Sequence, residues 1–108
     1  MINVNINYTF HFVERVKERM NISIQAFDKF WNHNTKMKIF HGKYEKRDKH
    51  PVTHYLTEYE GKYFVVIREQ KNFITLLTQE LYRTQSWAVP LSPHIEKFEA
   101  YKKQRGTK

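Results

Sequence analysis

The stretch VTHYLTEYEGKYFVVIREQKNFITLLTQ, residues 52–79, decides the fold. Three runs rich in β-branched and aromatic residues, 52–59, 63–68 and 73–79, are separated by Glu60-Gly61 and by Gln70-Lys71-Asn72. Such runs suit a pleated, half-buried surface, and short polar breaks holding a glycine or an asparagine suit hairpin turns. The pattern predicts an antiparallel meander. Within it Tyr63, Phe64, Val65, Val66 and Ile67 are continuously apolar, as a strand must be when both its faces are covered. Run 52–59 mixes in polar residues and belongs nearer an edge.

Working outward, residues 36–41 form a candidate further strand, and the polar, aperiodic segment GKYEKRDKHP, residues 42–51, reads as an exposed loop. Lys36, Lys38, Lys43, Lys46, Arg47 and Lys49 are opposed there only by Glu45 and Asp48, a local positive patch. Upstream, HFVERVKERM, residues 11–20, has helical periodicity. Ser23 then caps a second helix over 23–33, with Ile22 and Phe27 as a hydrophobic staple and Ala26, Phe27, Phe30 and Trp31 as its apolar face. At the start, Ile2, Val4, Ile6, Tyr8 and Phe10 alternate with Asn3, Asn5, Asn7 and Thr9, the period of a strand with one buried face. After the meander, Pro90 interrupts the apolar run 87–91, and Ser92-Pro93 opens a short helix with a weak edge of Ile95, Phe98 and Tyr101. Residues 102–108 read as a frayed basic tail. The expected architecture is therefore one α+β domain over 1–108. A strand and two N-terminal helices pack on an antiparallel β-meander, followed by a short C-terminal helix and a basic C-terminal segment from about residue 93 to 108.

Composition narrows the function. Nineteen Lys and Arg against eleven Asp and Glu give a formal net charge of +8, which favours a polyanionic partner such as RNA, DNA or an acidic protein. With no cysteine in the chain, disulfides, thiolate nucleophiles and thiolate metal sites are excluded. No run approaches the roughly 18 apolar residues of a membrane span, and the N-terminus lacks the basic start and apolar stretch of a signal peptide. A cytoplasmic protein with no membrane partner is expected. His33, His41, His50, His54 and His94 are scattered over different elements, and His50-x-x-x-His54 falls in a loop-to-strand region where a four-residue spacing does not align ligands, so no metal site is expected either. Most of the eight Phe, seven Tyr and two Trp are needed for a core at this length, leaving two or three to stack bases.

The chemistry-bearing pattern is His11, Arg15 and Arg19, repeating every fourth residue. At about 100° per residue the three side chains fall within about 80° of arc, along about 12 Å of axis. Phe12, Val13, Val16 and Met20 occupy the adjoining arc, so burying that face leaves the stripe at the rim of the core. An imidazole titrates near working pH, and guanidiniums bind phosphate through forked donors. The same stripe is also what a solvated helix face looks like, with Glu14 and Glu18 as partners.

The order His11-x-x-x-Arg15-x-x-x-Arg19, then Ile22-Ser23 opening a second helix, then a last strand carrying Phe73-Ile74-Thr75-Leu76-Leu77, resembles small RelE-like and BrnT-like proteins. It is most similar to an uncharacterised branch whose first strand is followed by a His-Ala-x-x-Arg-x-x-x-Arg helix. Here Phe12 stands after the histidine, and Met20-Asn21 stands where the branch carries a glycine. That branch is grouped with the barnase, EndoU, colicin and RelE ribonucleases, many of them toxins of toxin–antitoxin pairs. The resemblance spans residues 8–78. It implies a metal-independent, cofactor-free endoribonuclease that cleaves RNA by 2′-hydroxyl attack, with an antitoxin or another acidic protein as partner. His11, Arg15, Arg19 and Thr75 are then the expected catalytic set. Arg68, Tyr82 and Arg83, at or beyond strand ends, and Lys43, Lys46, Arg47 and Lys49 in the loop are the expected substrate contacts. A second class needs only the charge: a non-enzymatic basic module, as in a mobile element or virus, that binds nucleic acid or an acidic protein.

Overall fold

The computed structural model describes residues 7–106. Of the first strand expected over residues 2–10, residues 2–6 lie outside them, and within them it is cut to Asn7–Tyr8, because Thr9 caps a helix that begins at Phe10. The elements are β1 (Asn7–Tyr8), α1 (Phe10–Met20), α2 (Ile24–His33), β2 (Lys36–Gly42), β3 (Val52–Tyr59), β4 (Lys62–Glu69), β5 (Asn72–Thr78), α3 (Gln79–Arg83) and α4 (Ser92–Gly106). The sheet runs in the order β1-β5-β4-β3-β2. Strands β2 to β5 form the expected antiparallel meander, and β1 adds one parallel pair at the β5 edge, Asn7 with Asn72 and Tyr8 with Phe73. This is the α+β fold read from the sequence, with β4 at its centre.

Each boundary has a local cause. Thr9 and Ser23 cap α1 and α2 by accepting the N–H groups of Phe12 and Ala26. Asn21 closes α1 at φ 61°, a left-handed position that asparagine tolerates next best to glycine. Between β3 and β4, Glu60 (φ 52°) and Gly61 (φ 80°) are both left-handed, as the tight hairpin turn requires.

Burial on both faces of β4 organises the interior. Phe64 and Val66 pack with Phe12, Val16 and Met20 of α1, Phe27 and Trp31 of α2, and Phe73 and Leu76 of β5. Val65 and Ile67 pack on the other side with Ile39, Leu56, Tyr82, Leu91 and Phe98. Phe73 and Leu76 are an odd number of residues apart yet share a core. The register explains it: Arg68 pairs with Phe73 but Ile67 with Thr75, so Ile74 is an extra, bulged residue that resets the alternation.

Two expectations change. The short helix α3 follows β5 directly, with Thr78 accepting the Leu81 N–H as its cap. The C-terminal helix starts at Ser92 but continues through Gly106, so the residues read as a frayed tail extend a helix. Phe98 anchors it against Tyr63, with ring centroids 5.7 Å apart, and Lys102 pairs with Glu58 of β3 and with Glu99. Among the described residues no helix is long and apolar enough to cross a membrane.

The second core holds a polar insertion. His54 is fully buried between the rings of Phe40, Tyr44, Tyr82 and Trp87. Its Nδ1 lies 2.9 Å from the Tyr82 hydroxyl, and its Nε2 lies 2.6 Å from that of Tyr44. Tyr82 Oη already accepts the Val89 N–H at 3.0 Å. The arrangement that uses the proton of the fully buried Tyr82 has Tyr82 donating to Nδ1 and Nε2–H donating to Tyr44, whose own hydroxyl proton is left to the exposed side of the residue. Burial pushes the His54 imidazole down to about 4 and the Tyr44 phenol up to about 12.

A depressed histidine value means that the unfolded chain binds the extra proton first. Stability contributed by neutral His54 is present above the unfolded value near 6.5 and is lost as pH falls from there to about 4. Urea unfolding across that window is expected to show a wild-type slope exceeding that of His54→Gln by up to about 1.4 kcal/mol per pH unit. Equal slopes would reject a neutral buried His54.

Candidate functional site

The seam between α1 and β5 is where the expected residues meet. Thr9 sets it up: its hydroxyl caps α1 and donates to the Phe73 carbonyl at 3.1 Å, and its N–H reaches the same carbonyl at 3.4 Å. The first turn of the helix is thereby pinned to the start of the strand. With Phe12, Val16 and Met20 buried against the sheet, the adjoining stripe faces β5 at the rim.

His11 is exposed, and its Nε2 lies 3.3 Å from Thr75 Oγ1. Arg15 donates to Glu18 one turn on at 2.8 Å, its side chain 24% exposed against 60% for the carboxylate. Arg19 donates to the Leu76 carbonyl at 2.6 Å. Burial, then the neighbouring charge of Arg15, holds the Arg19 guanidinium below its ordinary value. At the far end of the seam Arg19 borders a cavity of about 380 Å³, also lined by Lys62, Tyr63, Phe64, Thr78 and Glu80. The first turn of α1 holds no acidic residue, so no carboxylate within it opposes the positive end of the helix dipole. One titratable ring, a hydroxyl, two guanidiniums and a helix N-terminus thus line one edge, a set suited to holding a phosphodiester and moving a proton beside it.

The expected substrate contacts are not gathered into this seam. Arg68 lies over the rings of Phe73 (4.9 Å) and Tyr55 (5.9 Å), on the face of the sheet that α2 partly covers. Tyr82 is corrected to a core residue: it is fully buried and its hydroxyl is taken up by His54 and Val89. Its position beyond the last strand reads as surface only until α3 forms and turns it inward. Arg83 is exposed at the end of α3. Lys43, Lys46, Arg47 and Lys49 are exposed in the loop between β2 and β3, with Arg47 paired to Glu45 at 2.6 Å.

Sequence reasoning passed over two features. Phe10, beside His11, is 77% exposed, although the alternation of the first residues marks it as inward-facing. His54 and Tyr44 carry no spacing signal, since their meeting depends on a loop folding back over β3. Neither the family models, the curated proteins nor the solved structures compared with this chain yield a match.

Thr9→Ala is expected to lower the unfolding free energy by about 1 kcal/mol in a urea titration, as the loss of a helix cap does. Thr75→Val is expected to move the ring resonances of His11 in NMR spectra. An unmoved His11 signal would reject their contact.

Proposed function

We propose that this chain is a metal-independent endoribonuclease of toxin type that works at the α1–β5 seam. The observation that carries the reading is the 3.3 Å approach of His11 Nε2 to Thr75 Oγ1, which unites residues 64 positions apart on an exposed rim. They meet beside Arg15 and Arg19. The resemblance of the sequence to RelE-like and BrnT-like proteins supports the same assignment.

In this reading His11 removes the proton from a ribose 2′-hydroxyl while Thr75 orients the imidazole. The 2′-oxygen bonds to phosphorus, and the bond from phosphorus to the 5′-oxygen breaks. The proton held by His11 passes to the departing 5′-oxygen, leaving a 2′,3′-cyclic phosphate and a 5′-hydroxyl. Arg15 and Arg19 stabilise the added charge on phosphorus. Arg15 is released for that role at little cost, because an exposed ion pair with Glu18 is worth only about 0.3 to 0.5 kcal/mol.

A non-enzymatic basic module for nucleic acid or an acidic protein is the second reading. It is favoured by the engagement of Arg15 and Arg19 within the fold and by the exposed basic loop.

Incubation of purified protein with total RNA in EDTA decides between them. Cleavage leaving cyclic phosphate ends is expected, with His11→Ala slower by roughly 10²- to 10⁴-fold while binding RNA nearly as wild type. Arg15→Ala and Arg19→Ala should weaken both cleavage and binding, since a guanidinium on phosphate acts before and during the reaction. A wild-type protein that binds RNA and yields no products under any divalent-ion condition removes the enzyme and leaves the binding module.

A further inference from the structure

Away from the seam, strand register collects a second set of cations on one face of the sheet. Lys36 pairs with Thr57, Lys38 with Tyr55, His41 with Thr53, and Thr53 with Arg68, and directly paired residues share a face. This is also the face of Phe64 and Val66, yet helical cover ends at Trp31, whose ring meets Tyr55 edge-on at 5.4 Å. Beyond it Lys38 and His41 are exposed, and Arg68, Tyr55 and Thr53 are half-buried.

Arg68 is the informative member. Its guanidinium rests on two aromatic rings, its Nε is buried with no hydrogen-bond partner, and no ion pair among the described residues involves Arg68, Lys36 or Lys38. Asp28, the acid of α2, is taken up by the Tyr8 hydroxyl and by Asn32. Lys36 is held by the Trp31 carbonyl at the end of α2, and His41 by Thr53. Arg68 and Lys38 thus carry their charges without a carboxylate paired to either, beside an aromatic floor.

We propose that this open face of β2, β3 and β4, centred on Arg68, Lys38 and Tyr55, binds the phosphate backbone of single-stranded RNA. The site does not depend on cleavage at the seam. A planar guanidinium pre-set against rings offers the forked donors that a phosphate accepts. The same plane and the half-buried Tyr55 are surfaces for unpaired bases, which a duplex keeps stacked inside. Both the loop carrying Lys43, Lys46, Arg47 and Lys49 and the start of α1 lie at this end of the sheet, because β2 ends, β3 begins, β4 ends and β5 begins there. A strand crossing the patch thus leads toward both.

The test uses a fluorescent 2′-O-methyl oligouridylate, which has no free 2′-hydroxyl to attack, in anisotropy titrations at rising salt. Arg68→Gln and Lys38→Glu are each expected to weaken binding about tenfold and to flatten the slope of log affinity against log salt by about 0.7. Lys38 is exposed at the sheet edge, so its variant decides the matter should Arg68→Gln fail to fold, as judged by circular dichroism. Wild-type affinity and slope in the folded variants would overturn the proposal. So would equal binding of a duplex of the same oligonucleotide, or displacement by polyglutamate as effective as by the oligonucleotide. If the wild-type chain binds the probe but cleaves no RNA, the seam reading fails and this one stands. If it cleaves RNA while both variants bind like wild type, the reverse holds.

Discussion

Covering both faces of β4 is the constraint on which the other elements depend. Phe64, Val65, Val66 and Ile67 are all at most 4% exposed, and no single layer can achieve that for consecutive residues whose side chains alternate in direction. One face takes α1 and α2, and the other takes α3, the turn after it and α4. Burying four such side chains contributes on the order of 6 to 12 kcal/mol relative to leaving them in water, comparable to the net stability of a domain this size. The fold therefore needs helices on both sides of the chain's midpoint.

The seam is a by-product of the first layer. Once Phe12, Val16 and Met20 face the sheet, the stripe one helical step away has only β5 to meet. Two details set its alignment: Thr9 ties the first turn to Phe73, and the bulge at Ile74 shifts Thr75 and Leu76 by one place in the ladder. Without the extra residue Phe73 and Leu76 would point to opposite faces, so a packing demand and the position of Thr75 share one cause. Cations without an ion-pair partner gather elsewhere, on the sheet face that α2 is too short to cover.

The second layer shows how a polar group survives in a core. His54 occupies an inward position opposite Ile67, and its buried ring is tolerable because two phenols and the Val89 N–H satisfy the network. Tyr44 reaches it from the basic loop and stacks on Trp87 with centroids 5.1 Å apart. A segment that is polar along its length is thereby attached to the core at one aromatic residue.

The sequence by itself determined the elements and their roles wherever local physics suffices. The unbroken apolar run of β4, the glycine turn at Gly61, the cap Ser23 and the four-residue stripe of α1 each act within a few residues, so their period or spacing is readable, whereas Thr9, read as part of the first strand, is revealed as a cap only by the structure. The α+β class and the seam's own side of α1 followed from them. Tertiary structure alone decided what depends on pairing across distance. The packing of α1 along β5 brings His11 to Thr75, and α3 turns Tyr82 inward. Phe98 and Lys102 dock the last helix, and His54 acquires its phenols. The patch around Arg68 also belongs here, because lysine, tyrosine and arginine lie on three strands and become neighbours only when the ladder sets their register. A spacing pattern reports one element's face, whereas a shared site is a property of how several faces align.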